Sequence, residues 1–349
     1  MSHQKRIEDF GVTIGKLPKG KLNKITDVKG VKVGHCTIDT LENKTGVTVI
    51  LPSEQNIYSN KMIAASYVLN GFGKTQGLIQ IDELGTLESP IALTNTLNVG
   101  IVNDAITEYM INQCNKENIP IQSFNPVIGE CNDGYLNNIQ SRAVKKEHVF
   151  QAIADCCEDF VEGDIGGGKG MSCHSLKGGI GSSSRMIELD GESYTLGVLV
   201  QSNYGLLEDL TINGKKVGNI IAKKVSTQEV VDKGSIIIII ATDIPLCSRQ
   251  LKRVCKRACV GITRVGSYIG HGSGDVIIGF STANVIRNSD EREVVSIKVI
   301  NENKIDRVFR AVAEACEEAV LNSMITCNEV VGYKGNVRKS LADYVEDVL

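Results

Sequence analysis

The sequence lacks any long apolar segment. Its longest unbroken apolar run, residues 236–241, is far shorter than the roughly 20 apolar residues that a helix needs to cross a bilayer. The polar and charged residues 1–10 contain no apolar core of a secretory signal. These absences lead us to expect a soluble, cytoplasmic protein.

A strong excess of charge is also missing. The net charge is −3, and 23% of the residues are charged, which argues against a dedicated nucleic-acid or membrane surface. One helical stretch, residues 249–264, is rich in basic side chains, which we expect to form a solvated face. Its basic residues at the start are Arg249, Lys252, Arg253, Lys256 and Arg257.

Metal-binding patterns are missing as well. The eleven cysteines are odd in number and lack zinc-ribbon spacing, and the five histidines include no HExxH motif. Cys255 and Cys259 are one helical turn apart and are best explained by packing. We therefore expect reduced thiols, no disulfide scaffold, no metal and no cofactor.

What the sequence does contain is an alternation of β-rich and amphipathic segments. The apolar runs predict strands at residues 47–51, 91–94, 194–200, 236–241 and 276–280. The helical spacing of apolar residues predicts helices at 102–115, 148–161, 245–265 and 304–324. In the helix at 245–265, Pro245 fits the first turn and Asp243, just before it, is the expected cap. The pattern indicates a single layered α/β domain, residues 1–349, with helices over buried sheets. Irregular stretches at 71–88, 162–185 and 266–275 are where a site is expected.

Gly234 and Ser235 lead into the isoleucine strand, after the polar Asp232 and Lys233. Local sequence alone is explained by an ordinary tight turn. The functional alternative is that the Ser235 hydroxyl attacks the Gly234 carbonyl and turns the amide into an ester. Water then releases Ser235 as a new N-terminus, whose α-amine, with an ordinary pKa of about 8, can act as a general base.

A second serine and a carboxylate precede the next strand. Ser273 and Asp275 are two residues apart, so an extended chain places both side chains on one face. A hydroxyl held by a carboxylate can relay a proton, whereas the alternative is a plain glycine turn. A dinucleotide site is excluded because the third glycine is missing and a strand follows instead of a helix.

Three further residues are candidates: Asn203 at the end of a predicted strand, and Glu130 and Tyr135 in a turn segment that follows the apolar residues 126–128. The side chain of Asn203 could donate an N–H to an oxyanion, Glu130 could pair with a substrate ammonium group, and Tyr135 could form a hydrogen bond at the reacting centre. Their structural alternatives are a turn cap, a solvated turn and a packed ring. The glycine-rich stretches 166–170 and 177–185 lack the phosphate-binding GxxxxGK[ST] pattern and are interpreted as close-packed loops that form a site.

Taken together, these segments resemble the self-processing DmpA-type peptidases, a family that includes L-aminopeptidase/D-esterases and β-aminopeptidases. The similar segments occur in family order over residues 25–284. They are PIALTNTLNVG (90–100), PVIGECNDGYLN (126–137), KGGIGSSSR (177–185), YTLGVLVQSNYG (194–205), GSIIIIIATDIPL (234–246) and GSGDVIIGFSTAN (272–284).

The resemblance implies an αββα sandwich and self-cleavage after Gly234, giving an α-subunit of residues 1–234 and a β-subunit of residues 235–349. It implies a homo-oligomer of such heterodimers that releases N-terminal residues from small peptides, amides or esters. By position, Ser235 matches the nucleophile and new N-terminus, and Ser273 and Asp275 match its partner hydroxyl and carboxylate. Some members have Glu where Asp275 stands. Asn203 matches the oxyanion donor, Tyr135 matches a site residue, and Glu130 matches the group that meets the substrate amine.

Two alternatives stay open at this point. An acyl transferase similar to ornithine acetyltransferase shares the self-cleavage, but its nucleophile is usually Thr, which Ser235 does not match. A non-enzymatic binding protein could keep the same fold.

Overall fold

Two β-sheets lie face to face between two layers of helices in the computed structural model, which describes residues 4–224 and 234–348. Its strands are β1 (Lys32–Asp39), β2 (Lys44–Leu51), β3 (Asn60–Gly71), β4 (Thr86–Leu87), β5 (Ile91–Asn95), β6 (Val127–Cys131), β7 (Ser172–Cys173), β8 (Leu176–Lys177), β9 (Ile180–Leu189), β10 (Glu192–Asn203), β11 (Thr211–Ile212), β12 (Lys215–Lys216), β13 (Ser235–Thr242), β14 (Gly274–Arg287), β15 (Val330–Val331) and β16 (Val337–Arg338). Its α-helices are α1 (Leu78–Leu84), α2 (Val99–Lys116), α3 (Lys146–Ala154), α4 (Gly218–Ala222), α5 (Ser248–Arg264), α6 (Asp306–Ile325) and α7 (Val345–Val348).

The smaller sheet has the strand order β1-β2-β5-β6, and the larger one has the order β4-β3-β14-β13-β10-β9. Within the larger sheet β13 and β14 are parallel, whereas β10 is antiparallel to β13 and β3 is antiparallel to β14. The start of β13 therefore lies beside the start of β14 and beside the end of β10. All five predicted strands are confirmed as parts of β2, β5, β10, β13 and β14.

The isoleucine run forms the centre of the larger sheet. Ile236, Ile238 and Ile240 belong to the core on the side of α5 and α6. Ile237 and Ile239 point the other way, into the core shared with the smaller sheet. Because side chains alternate along a strand, an unbroken apolar run is what a strand buried on both faces requires.

The helices complete the layers. Helices α2 and α3 pack on the smaller sheet, and α5 and α6 pack on the larger one. Helix α6 is buried along almost its whole length, between β9, β10 and α5. The order of layers is helix, sheet, sheet, helix, which confirms the predicted αββα sandwich. Among the helices that the structure describes, none is long and apolar enough to span a membrane.

Two predicted helices have different limits in the structure. Helix α3 ends at Ala154 instead of residue 161, because the backbone of Cys157 pairs with that of Val33 in β1 and becomes extended. Helix α5 begins at Ser248, after the cap residue Cys247. The predicted cap was wrong because the Asp243 carboxylate instead accepts a hydrogen bond from the Thr195 N–H, at 2.7 Å.

Two stretches predicted to be irregular contain regular structure. Helix α1 lies within residues 71–88, but it is too short to show a helical period. Strand β9 begins within residues 162–185, where its serines look like loop residues. They are buried because their hydroxyls bond the surrounding chain: that of Ser182 donates to the Val198 carbonyl, at 2.6 Å, and that of Ser183 donates to the Asn23 side chain, at 2.9 Å.

The basic stretch forms the outer face of α5, as predicted. Arg249 and Arg253 pair with Glu302, and Arg257 stacks on Phe309 with its guanidinium 4.2 Å from the ring centre. All eleven cysteines are free thiols.

Candidate active site

The predicted site residues of the larger sheet meet at one edge. Asn203, the last residue of β10, lies opposite Ser235, the first residue of β13. Ser235 in turn lies opposite Gly274, the first residue of β14, which is flanked by Ser273 and Asp275. The strand directions bring these ends together, although the chain separates them by long stretches.

The Ser235 hydroxyl lies against the peptide group that a self-cleavage would break. It donates a hydrogen bond to the Gly234 carbonyl oxygen, at 2.8 Å, and the same oxygen accepts a hydrogen bond from the Gly274 N–H, at 3.2 Å. Ser235 is buried. A β-carbon on residue 234 would lie only 2.2 Å from the Asn203 carbonyl oxygen, so the close contact of the two chains requires glycine there. Asp232 and Lys233 lie outside the described residues.

Ser273 and Asp275 form the predicted pair. The Ser273 hydroxyl donates to Oδ1 of Asp275 at 2.6 Å, and both side chains are buried. The Ser273 carbonyl accepts hydrogen bonds from the Phe72 N–H, at 3.3 Å, and from the Asn70 side chain. The pair is therefore fixed to the end of β3 as well as to β13.

The side chain of Asn203 is held at both ends. Its Oδ1 accepts a hydrogen bond from the Ser172 N–H at 2.8 Å, and its Nδ2 donates to the Asn132 carbonyl at 3.0 Å. An amide nitrogen carries two hydrogens. One is used by Asn132, so a second is left that can be donated to an oxyanion at this edge.

Glu130 reaches the site from the smaller sheet, near the end of β6. Its Oε1 accepts a hydrogen bond from the Lys74 N–H at 2.9 Å, and its Oε2 accepts one from the Thr96 hydroxyl. A β-carbon on Gly73 would lie 3.5 Å from Oε1 of Glu130 and 3.8 Å from the Gly274 Cα, so the carboxylate adjoins the start of β14. The two groups that donate to this carboxylate, the Lys74 N–H and the Thr96 hydroxyl, are both neutral.

Tyr135 is half-exposed. The guanidinium of Arg338 stacks on its ring at 3.7 Å, and the Asn336 side chain donates to its carbonyl oxygen at 2.7 Å. These contacts join Tyr135 to the C-terminal segment, and Arg338 also donates to the Ser172 hydroxyl at 3.3 Å, in the residue whose N–H holds Asn203.

Sequence reasoning missed a buried carboxyl group beside the site. Asp133 accepts hydrogen bonds from the side chains of Asn95 and Asn137, both at 3.0 Å. Burial raises the pKa of the Asp133 carboxyl to about 6, against these hydrogen bonds, which favour its charged form. Asp133 follows Asn132, whose carbonyl holds Asn203. The Asn-Asp-Gly sequence resembles an exposed turn, so no sequence signal indicated this burial.

Backbone groups were missed for a simpler reason. The N–H groups of Lys74 and Ser172 and the carbonyl of Asn132 hold the side chains of the site. Every residue type except proline offers such an N–H, so only the folded chain can show which of them are used. Thr96 lies within residues 90–100, but nothing in the sequence linked its hydroxyl to Glu130.

Comparison with known proteins agrees with this architecture. The family model for Peptidase family S58 matches residues 23–338. A beta-peptidyl aminopeptidase from Sphingosinicella microcystinivorans is 37% identical, over 95% of this chain and 88% of that protein. The crystal structure of the PH0078 protein from Pyrococcus horikoshii OT3 is 46% identical, with a TM-score of 0.92 and 98% of each chain covered.

A further solved structure gives the fold its class. The L-aminopeptidase D-Ala-esterase/amidase from Ochrobactrum anthropi is 34% identical, with a TM-score of 0.89 over 96% of this chain and 95% of that one. It is described as a prototype of the serine aminopeptidases and as a variant of the Ntn hydrolase fold. The fold and the strand-edge site thus define a serine aminopeptidase of the N-terminal nucleophile type. The chain belongs to Peptidase family S58.

Proposed function

We propose that this aminopeptidase cuts its own chain between Gly234 and Ser235 and then uses Ser235 as its nucleophile. The observation that supports this most directly is the 2.8 Å hydrogen bond between the Ser235 hydroxyl and the Gly234 carbonyl oxygen. The Ser235 oxygen attacks the carbonyl carbon, the C–N bond breaks, and the amide becomes an ester. Water hydrolyses the ester and leaves a Gly234 carboxylate and a free Ser235 amine. The Gly274 N–H stabilises the negative charge that develops on the carbonyl oxygen.

The cut leaves the sheet intact in this proposal. Strand β13 begins at Ser235 and is hydrogen-bonded along its length to β10 on one side and to β14 on the other. The two products, residues 1–234 and 235–349, therefore stay together through the sheet and the buried isoleucines. We propose that this heterodimer assembles further as a homo-oligomer and acts in the cytoplasm.

The same groups then act on the substrate. The Ser235 amine takes the proton from the hydroxyl as the oxygen attacks the substrate carbonyl, and the hydrogen-bonded pair of Ser273 and Asp275 supports this transfer. The second N–H of Asn203 binds the oxyanion. The amine or alcohol product leaves with a proton, and water hydrolyses the acyl-enzyme. The N-terminal residue of the substrate is thereby released.

Glu130 gives the site its preference for a free amine. Its carboxylate accepts hydrogen bonds from two neutral donors, and each carboxylate oxygen has a further lone pair for an ammonium group. The substrate class is therefore small peptides, amides or esters with a free N-terminal amine. The relatives include a beta-peptidyl aminopeptidase and an L-aminopeptidase D-Ala-esterase/amidase, so both α- and β-amino residues belong in the test.

Intact-mass analysis combined with a substrate panel tests this function. We expect two chains that meet at Gly234 and Ser235, in place of one chain of 37.7 kDa, and hydrolysis of some of the L-, D- and β-aminoacyl p-nitroanilides. Acyl transfer from N-acetylornithine to glutamate serves as the control for a transferase. A chain that stays whole and inactive under all conditions contradicts the proposal.

Replacement of Glu130 by Gln tests the binding of the amine. We expect kcat/KM for a free-amine anilide to fall about 10- to 100-fold, mainly through KM, because a charge-assisted hydrogen bond is lost. The preference over the des-amino analogue should shrink accordingly. Glu88→Gln is the matched control, since Glu88 is also buried but pairs with Lys61 and Asn125. An equal loss on both substrates would rule out this role for Glu130.

A further inference from the structure

A fully buried lysine lies behind Asn203. The ammonium of Lys177, a residue without solvent exposure, donates hydrogen bonds to three backbone carbonyls. They belong to Gly168, at 3.0 Å, to Met171, at 2.8 Å, and to Gly178. Burial lowers the pKa of the Lys177 ammonium, whereas hydrogen bonds to three carbonyl oxygens favour its charged form.

One peptide group connects Lys177 with Asn203. The Met171 carbonyl and the Ser172 N–H are the two ends of the same peptide unit. Its oxygen accepts the hydrogen bond from Lys177, and its N–H donates to Oδ1 of Asn203 at 2.8 Å. In a trans peptide the C=O and N–H point in opposite directions. The ammonium and the Asn203 amide therefore lie on opposite sides of a single planar group.

This arrangement has an electrostatic consequence. A positive charge at a peptide oxygen draws electron density towards it and makes the N–H at the other end a stronger donor, as in any chain of hydrogen bonds that polarise one another. The stronger hydrogen bond at Oδ1 polarises the Asn203 amide in the same direction, so its Nδ2–H groups also become stronger donors. One of those groups is the proposed oxyanion donor.

The geometry points to Lys177 as a positioning residue for the oxyanion donor: through the Met171–Ser172 peptide, its ammonium orients and polarises Asn203. This inference rests on the proposed function of Asn203. Lys177 does not touch the substrate. Its contribution should appear when charge develops in the transition state, and thus in kcat and not in KM.

A double-mutant cycle with Asn203→Ala tests this coupling, using the full chain and an aminoacyl p-nitroanilide that it hydrolyses. Lys177→Met keeps the length of the side chain and removes its charge. We expect Lys177→Met to lower kcat about 10- to 100-fold with KM within about 3-fold, which is less than the roughly 10²- to 10³-fold loss from Asn203→Ala itself. In the double mutant, kcat should stay within about 3-fold of that of Asn203→Ala, because the amide that Lys177 is proposed to polarise is then absent. Rates are normalised to the cut fraction found by intact mass.

Lys24→Met is the matched control. The Lys24 side chain is also largely buried, but its ammonium donates to Asp159 and to the Phe160 carbonyl, both at 2.6 Å. The Lys24→Met substitution should change kcat by the same factor in the unaltered protein and in the Asn203→Ala variant. Should Lys177→Met fail to give a cooperative thermal melt, Lys177→Gln, which keeps two N–H donors without the charge, carries the same test.

The experiment distinguishes failure of this inference from failure of the proposed function. If Lys177→Met lowers kcat by the same factor in both backgrounds, the residue has only a structural role and the inference is wrong. If the unaltered protein is neither cut nor active, the proposed function itself fails, whatever Lys177 does.

Discussion

Ser235→Ala protein should remain a single chain of 37.7 kDa and lose its aminopeptidase activity by about 10⁴-fold or more. The substitution removes the hydroxyl that lies 2.8 Å from the Gly234 carbonyl oxygen. Without it the chain cannot cut itself and no acyl-enzyme can form. Intact mass measures the first effect, and initial rates on an aminoacyl p-nitroanilide measure the second. Few other single substitutions in this chain should abolish two separate reactions.

Two controls make this result specific. Ser235→Cys retains a nucleophile and should still be cut, more slowly. Ser281→Ala removes a buried hydroxyl from the same sheet, one that donates to the Ile244 carbonyl at 2.7 Å, and should be cut normally. A Ser235→Ala chain that is cut before residue 235, or that hydrolyses the anilide at the normal rate, would refute the assignment.

Asp275→Asn should have the second-largest effect, a fall of about 10²- to 10⁴-fold in kcat for the anilide and a slower self-cleavage. The Ser273 hydroxyl donates to Oδ1 of Asp275 at 2.6 Å. An amide in that position removes the negative charge that, in the proposed mechanism, makes this hydroxyl a proton carrier. The time course of cutting by intact mass and steady-state rates of the cut protein give the two values.

Asp275→Glu is the informative control, because it keeps the charge and lengthens the side chain by one methylene. It should retain far more activity than Asp275→Asn. The double variant with Ser273→Ala should lose little beyond the larger single effect, since the two side chains act as a unit. If Asp275→Asn matched the unaltered protein in both assays, the pair would have no part in proton transfer.

The strands of the core could be predicted from the sequence because their pattern is local. A run of isoleucines at 236–240 is compatible with few environments other than a strand buried on both faces, and β13 has that position. The limits of α3 and α5 could not be predicted. They depend on the pairing of Cys157 with Val33 and on the Asp243 carboxylate, which bonds Thr195 instead of capping a helix. Both contacts join residues that are far apart in the chain.

The candidate site likewise contains residues that the sequence could indicate and residues that it could not. The sequence could indicate Ser235, Ser273 and Asp275, because each has a reactive side chain just before a predicted strand. Lys177 could not be linked to Asn203, since the connection passes through the backbone of Met171 and Ser172. The burial of Asp133 was likewise hidden by a sequence that is typical of an exposed turn.

By itself, the sequence determined which segments form buried strands and helices, and which side chains offer a hydroxyl, a carboxylate and an amide, because residue type and periodicity are properties of the chain. Only the tertiary structure decided that β10, β13 and β14 end at one edge, so that Asn203, Ser235 and Gly274 lie side by side. It also decided which backbone groups hold them. Strand order and hydrogen-bond direction arise from contacts between distant segments, and no local pattern of residues contains them.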